Sequence, residues 1–346
     1  MLSKNKRVLL GMSGGVDSSV CAILLKEQGY EVVGVTMLLF EDTAEDAKKV
    51  CEILNIQHHT IDCRKEFNKY VISNFINQYS LAKTPNPCIE CNRYLKFGKM
   101  YEIAKELDCQ YIATGHYAKI EYSEKYNRYV LKKSDSIKKD QSYVLYNIDK
   151  EILPHILFPL SSYEDKEEIR NIARNHDLEV ASKSDSQDIC FIPDNDYVRF
   201  LTNTGKLKLI PGNVVLKDGT KLGSHDGVIK YTIGQRRGLN VSYKEPLYVI
   251  KLSKETNEVI VGSEEGIFSK ELIAEDVNFL VFDSLKESIK VTAKIRYSAK
   301  EAEATVTPIE NNKVKVIFKE NQRAITPGQS IVFYDNDIVI GGGKIK

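Results

Sequence analysis

The sequence predicts an α/β protein in which a parallel-sheet domain comes first, followed by a small β-rich central domain and a C-terminal β-barrel. Between residues 7 and 115, short β-branched runs alternate with stretches whose apolar residues recur every three or four positions. After about Asn203, short strand-like runs are separated by turn signals such as Asp226-Gly227. From about Glu271 onward several short strands follow one another, which is typical of a barrel or sandwich. We expect three domains, over residues 1–203, 204–269 and 270–346.

The first domain is expected to alternate strands with helices. The predicted strands are Arg7–Met12, Glu31–Phe40, His58–Asp62 and Gln110–Thr114. The predicted helices are Ser18–Gln28, Ala44–Leu54, Lys65–Tyr79 and Asn92–Leu107. Such an alternation produces βαβ units, and therefore a parallel sheet covered by helices on both faces. Further along, Tyr122–Lys132 predicts an exposed hairpin, and Asp140–Leu160 and Glu164–Asn175 return to helical spacing.

The two later domains are predicted from the turn signals that separate their strand-like runs. Gly212–Gly262 carries turn signals between strand-like runs, which predicts a small β-rich domain. The predicted strands of the last domain are Ile289–Tyr297, Ala304–Pro308, Lys313–Phe318 and Ser330–Tyr334. Turns such as Glu310-Asn311-Asn312 and Thr326-Pro327-Gly328 separate them. This pattern favours a closed barrel or a sandwich.

Composition and charge limit the class of protein. The 346 residues include 49 Lys and Arg and 48 Asp and Glu, so a net charge of +1 gives no global attraction to nucleic acid or membrane. A polyanionic partner would have to be held by local patches. No apolar run reaches the roughly 20 residues that span a bilayer, and the opening MLSKNKRVLLGMSGG is unlike a signal peptide, so we expect a cytoplasmic protein. Seven cysteines without framework spacing argue against a secreted disulfide scaffold.

The segment Ser13-Gly14-Gly15-Val16-Asp17-Ser18 lies between the first predicted strand and the first predicted helix. Two glycines let the backbone approach an anion, and the helix that follows adds the positive end of its dipole. The segment is neither a Walker loop nor a dinucleotide fingerprint. A tight strand-to-helix turn capped by Ser18 is the structural alternative. The string resembles the PP-loop of ATP pyrophosphatases, which split ATP into AMP and pyrophosphate while adenylating an oxygen.

Three cysteines are candidates for chemistry. Cys88 and Cys91 form a CxxC pair in a proline-containing loop before a predicted helix, where helix amides are expected to lower a thiol pKa. The pair could equally be half a zinc site, although the ligands that would complete one are missing. Cys190 lies between Ile and Phe, a setting typical of a small core residue. The remaining cysteines are read as packing residues: Cys21, Cys51, Cys63 and Cys109.

Several motifs occur in order along nearly the whole chain: SGGVDSS, NPCIECN with Lys96-Phe97 behind it, ATGHYA, KDQSY, SQDICFI, GQRRGL and TPGQS. Together they resemble the bacterial tRNA-specific 2-thiouridylase family. The resemblance implies a Rossmann-like PP-loop domain and an ATP-dependent sulfurtransferase. Such an enzyme adenylates the 2-oxygen of the wobble uridine in tRNAs for Lys, Glu and Gln, and then replaces that oxygen with sulfur. Mg²⁺ would accompany ATP, and a cysteine desulfurase or sulfur-carrier protein would supply the sulfur.

The resemblance also implies roles for individual residues. Cys190 would carry the persulfide, Cys91 would be the nucleophile, and a Cys91–Cys190 disulfide would be the resting product. ATP would be bound by Gly11, Met12, Ser13, Gly14, Gly15, Val16, Asp17, Ser18, Met37 and Gly115. The target base would face Asn86, Pro87 and Cys88, although some family members carry Asp at the last of these positions. The implied tRNA contacts are His116, Lys139, Asp140, Gln141, Arg296, Tyr297 and Gln329.

Alternative readings remain open. An amidating or ligating PP-loop enzyme would need no paired cysteines, and a non-catalytic RNA-binding or nucleotide-binding protein would need no intact loop. Three thiolates, from Cys88, Cys91 and Cys190, could instead hold an iron-sulfur cluster with one iron open. His116 could be a structural histidine, and the basic pairs could be solvated surface.

Overall fold

The computed structural model describes residues 6–40, 44–182 and 189–346. Their strands are β1 Arg7–Gly11, β2 Glu31–Leu38, β3 Gln57–Asp62, β4 Tyr111–Ala113, β5 Ala118–Ser123, β6 Arg128–Lys133, β7 Ile156–Leu157, β8 Gly212–Leu216, β9 Lys221–His225, β10 Tyr248–Ser253, β11 Glu258–Gly262, β12 Phe268–Phe279, β13 Ile289–Lys294, β14 Ala302–Ile309, β15 Lys313–Arg323, β16 Ser330–Asp335 and β17 Ile338–Ile345. Their α-helices are α1 Val16–Glu27, α2 Ala44–Ile53, α3 Arg64–Phe67, α4 Ser73–Ser80, α5 Pro87–Cys91, α6 Met100–Glu106, α7 Lys166–Asn175 and α8 Tyr197–Asn203.

The first sheet is parallel throughout, with the strand order β3-β2-β1-β4-β7. This confirms the predicted α/β domain. The order changes direction between β1 and β4, and in open parallel sheets ligands bind outside the carboxyl ends of the strands at such a point. The loop that follows β1 therefore begins at the edge of the sheet where ligands bind.

Two helical runs of the first domain contain π-helical segments. Asn68–Ile72 joins α3 to α4, and Asn92–Lys99 joins α5 to α6. The second run begins at Pro87 and not at Asn92 as predicted, because the side chain of Asn86 accepts a hydrogen bond from the Cys88 amide at 3.1 Å and a proline is favoured in the first helical turn. Both cysteines of the CxxC pair are therefore helical.

The segment Asp140–Leu160, predicted to be helical, contains no α-helix. It forms 3₁₀ turns at Ser142–Leu145 and Lys150–His155 and then the short strand β7. Pro154 lacks the amide that a continuing helix needs, and the side chains of Tyr143 and Tyr146 are fully buried. The prediction of a helix near Glu164–Asn175 is confirmed by α7.

The central sheet has the order β10-β11-β8-β9, in which β8 and β11 run parallel and the other pairs run antiparallel. The predicted β-rich domain is therefore confirmed. Its core is a small cluster that includes Val214, Val249 and Val259. The limits proposed for the domains, at residues 203 and 269, stay predictions.

The last six strands form a closed antiparallel barrel. They are hydrogen-bonded in the order β12-β15-β14-β13-β16-β17, and β17 pairs again with β12. The barrel prediction is confirmed. The hairpin β5–β6 also forms as predicted, but it is not free-standing, because Lys132 pairs with Ile338 of β17 and the Lys133 amide donates to the Asp337 carbonyl at 2.8 Å. In the part of the chain that the structure describes, no helix is long and apolar enough to cross a membrane.

Candidate active site

The loop between β1 and α1 is held by its own serines. The Ser13 amide donates to Ser18 Oγ at 3.3 Å, and Ser18 Oγ donates to the Gly15 carbonyl at 3.1 Å. Gly14 has a φ of +73°, and a Cβ there would lie 2.8 Å from the Cβ of Asp46 on α2. A Cβ on Gly15 would meet only Ser13 Oγ, at 3.4 Å, among the described residues. The fold therefore requires glycine at position 14, whereas glycine at position 15 leaves room in the loop.

Asp17, in the first turn of α1, is the charged centre of this loop. Lys166 Nζ donates to both of its carboxylate oxygens at 2.8 Å, and the Tyr117 hydroxyl donates to one of them at 2.9 Å. Lys166 is the first residue of α7. A Cβ on Gly115 would lie 3.0 Å from the Asp17 Cβ, so the ATGH segment packs directly on the loop between β1 and α1. A cation and an acid thus share the mouth of the loop.

The other residues assigned to ATP lie at the same edge of the sheet. Gly11 is the last residue of β1, and Met37 lies near the end of the neighbouring strand β2. The side chains of Met12 and Val16 are buried in the core, so their contacts to a nucleotide would come from the backbone. The structure brings these residues together around the loop, and their binding of ATP stays a prediction.

Cys91 packs in one apolar cluster with Phe191 and Ile192, so the structure brings the segment near residue 190 to helix α5. Burial raises the pKa of the Cys91 thiol to about 12, Lys96 acts in the opposite direction, and Cys190 and Cys88 raise it further. Burial also raises the pKa values of Cys88 and Cys190, and Lys96 again opposes the shift. Cys91 is only 7% exposed, whereas Cys88 and Cys190 reach the surface.

The expectation of a lowered thiol pKa is wrong for this conformation. Cys91 is the last residue of α5, away from the amides at the start of the helix, and burial outweighs the positive charge of Lys96. All seven cysteines are free thiols, so the Cys91–Cys190 disulfide is not formed here and stays a prediction. Within the described ranges, no three His, Cys, Asp or Glu side chains are arranged to hold a metal ion.

Cys190 precedes an aromatic anchor. The ring of Phe191 packs edge-on against Phe67 and Phe75, with centroids 5.6 and 5.5 Å away. Residues 186–188 of the SQDICFI motif lie outside the described residues. The other four cysteines are buried, as expected of packing residues, at Cys21, Cys51, Cys63 and Cys109.

The Lys139-Asp140-Gln141 segment wraps around Tyr117, the residue that contacts Asp17. Gln141 Oε1 accepts from the Tyr117 amide at 3.0 Å, and the Lys139 ammonium lies 5.1 Å from the centroid of the Tyr117 ring. Asp140 is buried, and its carboxylate accepts from the amides of Ser134 and Ser142 at 3.1 Å. These contacts give the segment a structural role, and its contact with tRNA stays a prediction.

His116 lies in the interior. It is 8% exposed, its Nδ1 is 2.7 Å from Thr114 Oγ1, and its ring contacts those of Phe97 and Phe158. Burial, followed by the charge of Lys96, holds the pKa of His116 well below its ordinary value, so the ring is neutral at pH 7. This geometry favours the structural alternative for His116 over a direct contact with tRNA.

The three barrel residues assigned to tRNA differ in their surroundings. Arg296 Nη2 donates to the carbonyls of Arg323 and Ala324 at 3.0 and 2.5 Å. Tyr297 is 43% exposed, and its ring packs edge-on against Tyr143 with centroids 6.0 Å apart. Gln329 is turned inward, and its Nε2 donates to the Thr84 carbonyl at 2.7 Å. The structure therefore places Gln329 against the loop that leads to the cysteines.

Sequence reasoning missed Lys166, Tyr117, Glu90 and Lys344. Glu90 lies between the two cysteines of α5, is buried, and pairs with Lys344 of β17 at 2.8 Å. A charged residue inside a CxxC pair was the one available signal. No sequence pattern near Lys344 indicated that it would pair with Glu90, because the two residues come from distant parts of the chain.

Three protein families match successive parts of the chain. Residues 6–194 match "tRNA methyl transferase HUP domain", residues 199–263 match "tRNA methyl transferase PRC-barrel domain", and residues 269–345 match "Aminomethyltransferase beta-barrel domain". A protein named tRNA-specific 2-thiouridylase MnmA from Clostridium beijerinckii is 50% identical, with 99% of each chain covered. Its namesake MnmA 1 from Caldanaerobacter subterraneus is 51% identical over 99% of this chain and 98% of its own.

Two similar solved structures are more distant in sequence. A 4-thiouridine synthetase in complex with RNA and ATP is 18% identical, with a TM-score of 0.38 over 57% of this chain and 50% of the other. An NMN synthetase from Francisella tularensis is 16% identical, with a TM-score of 0.34 over 53% of this chain and 67% of its own.

Proposed function

The chain belongs to the tRNA-specific 2-thiouridylase family, and from that premise we propose a reaction for its active site. The enzyme, a tRNA sulfurtransferase, uses ATP to adenylate the 2-oxygen of the wobble uridine in tRNAs for Lys, Glu and Gln. Persulfide sulfur then replaces that oxygen, and the products are 2-thiouridine, AMP and pyrophosphate. We place this reaction in the cytoplasm, with a cysteine desulfurase or sulfur-carrier protein as the sulfur donor.

One observation carries the proposal: a continuous set of contacts joins the loop between β1 and α1, here named the phosphate loop, to the thiols. Asp17 of the loop packs on the ATGH segment, and the ring centroid of His116 in that segment lies 5.7 Å from that of Phe97 in the π-helical segment that follows α5. Met37, near the end of β2, packs against the apolar cluster that contains Cys91. A uridine held between the loop and the thiols would therefore face ATP on one side and sulfur on the other.

The phosphate loop and Lys166 would bind the triphosphate. Lys166 is held by Asp17 in this state, and the more highly charged phosphates would compete for its ammonium group. Mg²⁺ fits the same place, because Asp17 presents a carboxylate, the ligand type this ion prefers, and the ion would neutralise phosphate charge when bound. The uridine 2-oxygen would attack the α-phosphorus, and pyrophosphate would leave.

The thiols would carry out the second half of the reaction. The outer sulfur of a persulfide on Cys190 attacks C2 of the uridine, and AMP leaves with the original oxygen. Cys91, as a thiolate, then attacks Sγ of Cys190, so that the outer sulfur stays on the uridine and a Cys91–Cys190 disulfide forms. A cellular dithiol reductant reopens the disulfide. Lys96 would favour the thiolate forms, since its charge opposes the effect of burial on all three cysteines.

The deciding experiment incubates the protein with ATP, a persulfide donor and unmodified tRNA, and then analyses the nucleosides by mass for 2-thiouridine. We expect one 2-thiouridine per tRNA and release of AMP, and neither product when ATP is omitted. The Cys190→Ser protein is the control. Amide or ligation products formed without the cysteines would favour a different PP-loop enzyme, and ATP binding without tRNA-dependent turnover would favour a non-catalytic protein.

A further inference from the structure

The geometry points to a positioning role for the C-terminal barrel, which we infer holds the cysteine-bearing helix α5 in its working orientation. Two contacts do this: the ion pair between Glu90 and Lys344, and the turn Thr326–Ser330 against the backbone of Thr84. The inference rests on the proposed function in that it takes Cys91 as the nucleophile. It assigns Glu90, Lys344 and Gln329 as positioning residues for that nucleophile.

The ion pair fixes how α5 is rotated about its axis. Glu90 is 5% exposed, and Lys344 Nζ lies 2.8 Å from its Oε1. Successive residues of a helix are turned by about 100°, so directing Glu90 at the barrel sets the directions in which Cys88 and Cys91 point. A buried carboxylate without a partner is strongly unfavourable. Glu90 can therefore stay in this position only while the barrel supplies Lys344.

Lys344 also forms an ion pair with a second carboxylate, that of Asp276. Its Nζ lies 3.3 Å from Asp276 of β12, and Asp276 lies 3.5 Å from Arg93 in the π-helical segment after α5. Burial lowers the pKa of Lys344, but Glu90 and Asp276 raise it by more, so the amine stays charged at neutral pH. Because Lys344 pairs with two carboxylates of the protein, we assign it a structural role and not one as a phosphate ligand.

The turn holds the other end of the cysteine loop. The Thr84 amide donates to the Pro327 carbonyl at 2.9 Å, and Gln329 Nε2 donates to the Thr84 carbonyl at 2.7 Å. Gly328 has a φ of +90°, and a Cβ there would lie 2.9 Å from the Thr84 nitrogen. The contact is thus too close for any residue but glycine. The amide of Gln329, which the family resemblance assigns to tRNA, is used here to hold the protein backbone.

The test measures the rate at which the Cys91 thiol is alkylated, in the absence of ATP and tRNA. In the full-length Lys344→Met protein, we expect alkylation of Cys91 by iodoacetamide, followed by peptide mass analysis, to become at least fivefold faster. We expect kcat for thiolation to fall at least tenfold, while KM for ATP and for tRNA stays within twofold. Lys344→Arg should restore both. Lys319→Met, at a 70% exposed position on the same barrel, is the matched control and should change neither.

Unchanged alkylation and unchanged kcat in a folded Lys344→Met protein would overturn the inference. If that variant fails to fold, the Glu90→Gln/Lys344→Met double variant, which leaves no unpaired charge, takes its place with the same expectations. Gln329→Ala separates the second contact: faster Cys91 alkylation supports the positioning role, whereas a raised KM for tRNA with unchanged alkylation assigns Gln329 to tRNA. Because alkylation needs no substrate, it decides the inference even if the wild-type protein forms no 2-thiouridine.

Discussion

The buried Cys91 thiol predicts an unusual pH dependence for its alkylation. With a pKa of about 12, only about 10⁻⁵ of the thiol is ionised at pH 7, against about 3% of a free cysteine with a pKa near 8.5. The ionised fractions therefore differ by about 3.5 powers of ten. A more basic thiolate is a better nucleophile, and a Brønsted slope of about 0.4–0.5 offsets about 1.5 of these powers of ten in the alkylation rate. We therefore expect Cys91 to react about a hundredfold more slowly than a free cysteine at pH 7.

The slope with pH is the sharper readout. Restricted access to a buried thiol lowers its rate at every pH by the same factor, but only ionisation changes the rate with pH. Between pH 7 and 9.5, alkylation of Cys91 by iodoacetamide should rise about tenfold per pH unit without levelling off. Circular dichroism over the same range checks that the fold is kept. Lys96→Met should lower the rate further, because Lys96 opposes the effect of burial. A plateau anywhere below pH 9.5 would refute the reasoning.

The remaining predictions concern the phosphate loop and the thiols. Gly15→Ala should melt within a few degrees of wild type and yet lose tRNA adenylation, whereas Gly14→Ala should melt clearly lower because its Cβ meets α2; equal melting of the two variants would contradict this. Lys166→Met should raise KM for ATP or lower the adenylation rate at least tenfold, measured by pyrophosphate release, and wild-type release would remove Lys166 from the site. Cys190→Ser should abolish thiolation, since a serine cannot carry a persulfide. Cys88→Ala should retain thiolation with persulfide as donor and iron chelated, whereas loss of both activity and bound iron would favour the iron-sulfur cluster.

Much of the fold follows from local pattern. Alternating strands and helices predicted the parallel sheet, and the turn-separated runs predicted the barrel, because both patterns report which face of each element is buried. The segment Asp140–Leu160 was misread because its apolar residues suit helical spacing, while Pro154 and the burial of Tyr143 and Tyr146 decide the outcome. The start of α5 was misplaced because a proline in a loop and a proline in a first helical turn look alike in sequence.

The candidate site was predicted less completely than the fold. The phosphate loop is local, so its residues could be identified from one segment. The direction of the shift in the Cys91 pKa depends on how deeply neighbouring residues bury the thiol, and those neighbours come from distant segments. The partners of Glu90 and Gln329 lie across the domain boundary, where no periodic pattern reports contact. Pairs of this kind need the three-dimensional structure.

The hairpin β5–β6 has a consequence for how the protein is made. One residue of β6, Lys132, pairs with Ile338 of β17, and Lys133 pairs with Glu301 of the barrel, so the first domain completes its structure only with residues that are synthesised much later. Glu90 likewise gains its ion-pair partner only when Lys344 has been synthesised. A chain that stops before β17 lacks the strand that pairs with β6 and the lysine that pairs with Glu90. The first domain thus depends on β17 both for a backbone partner of β6 and for the cation that pairs with Glu90.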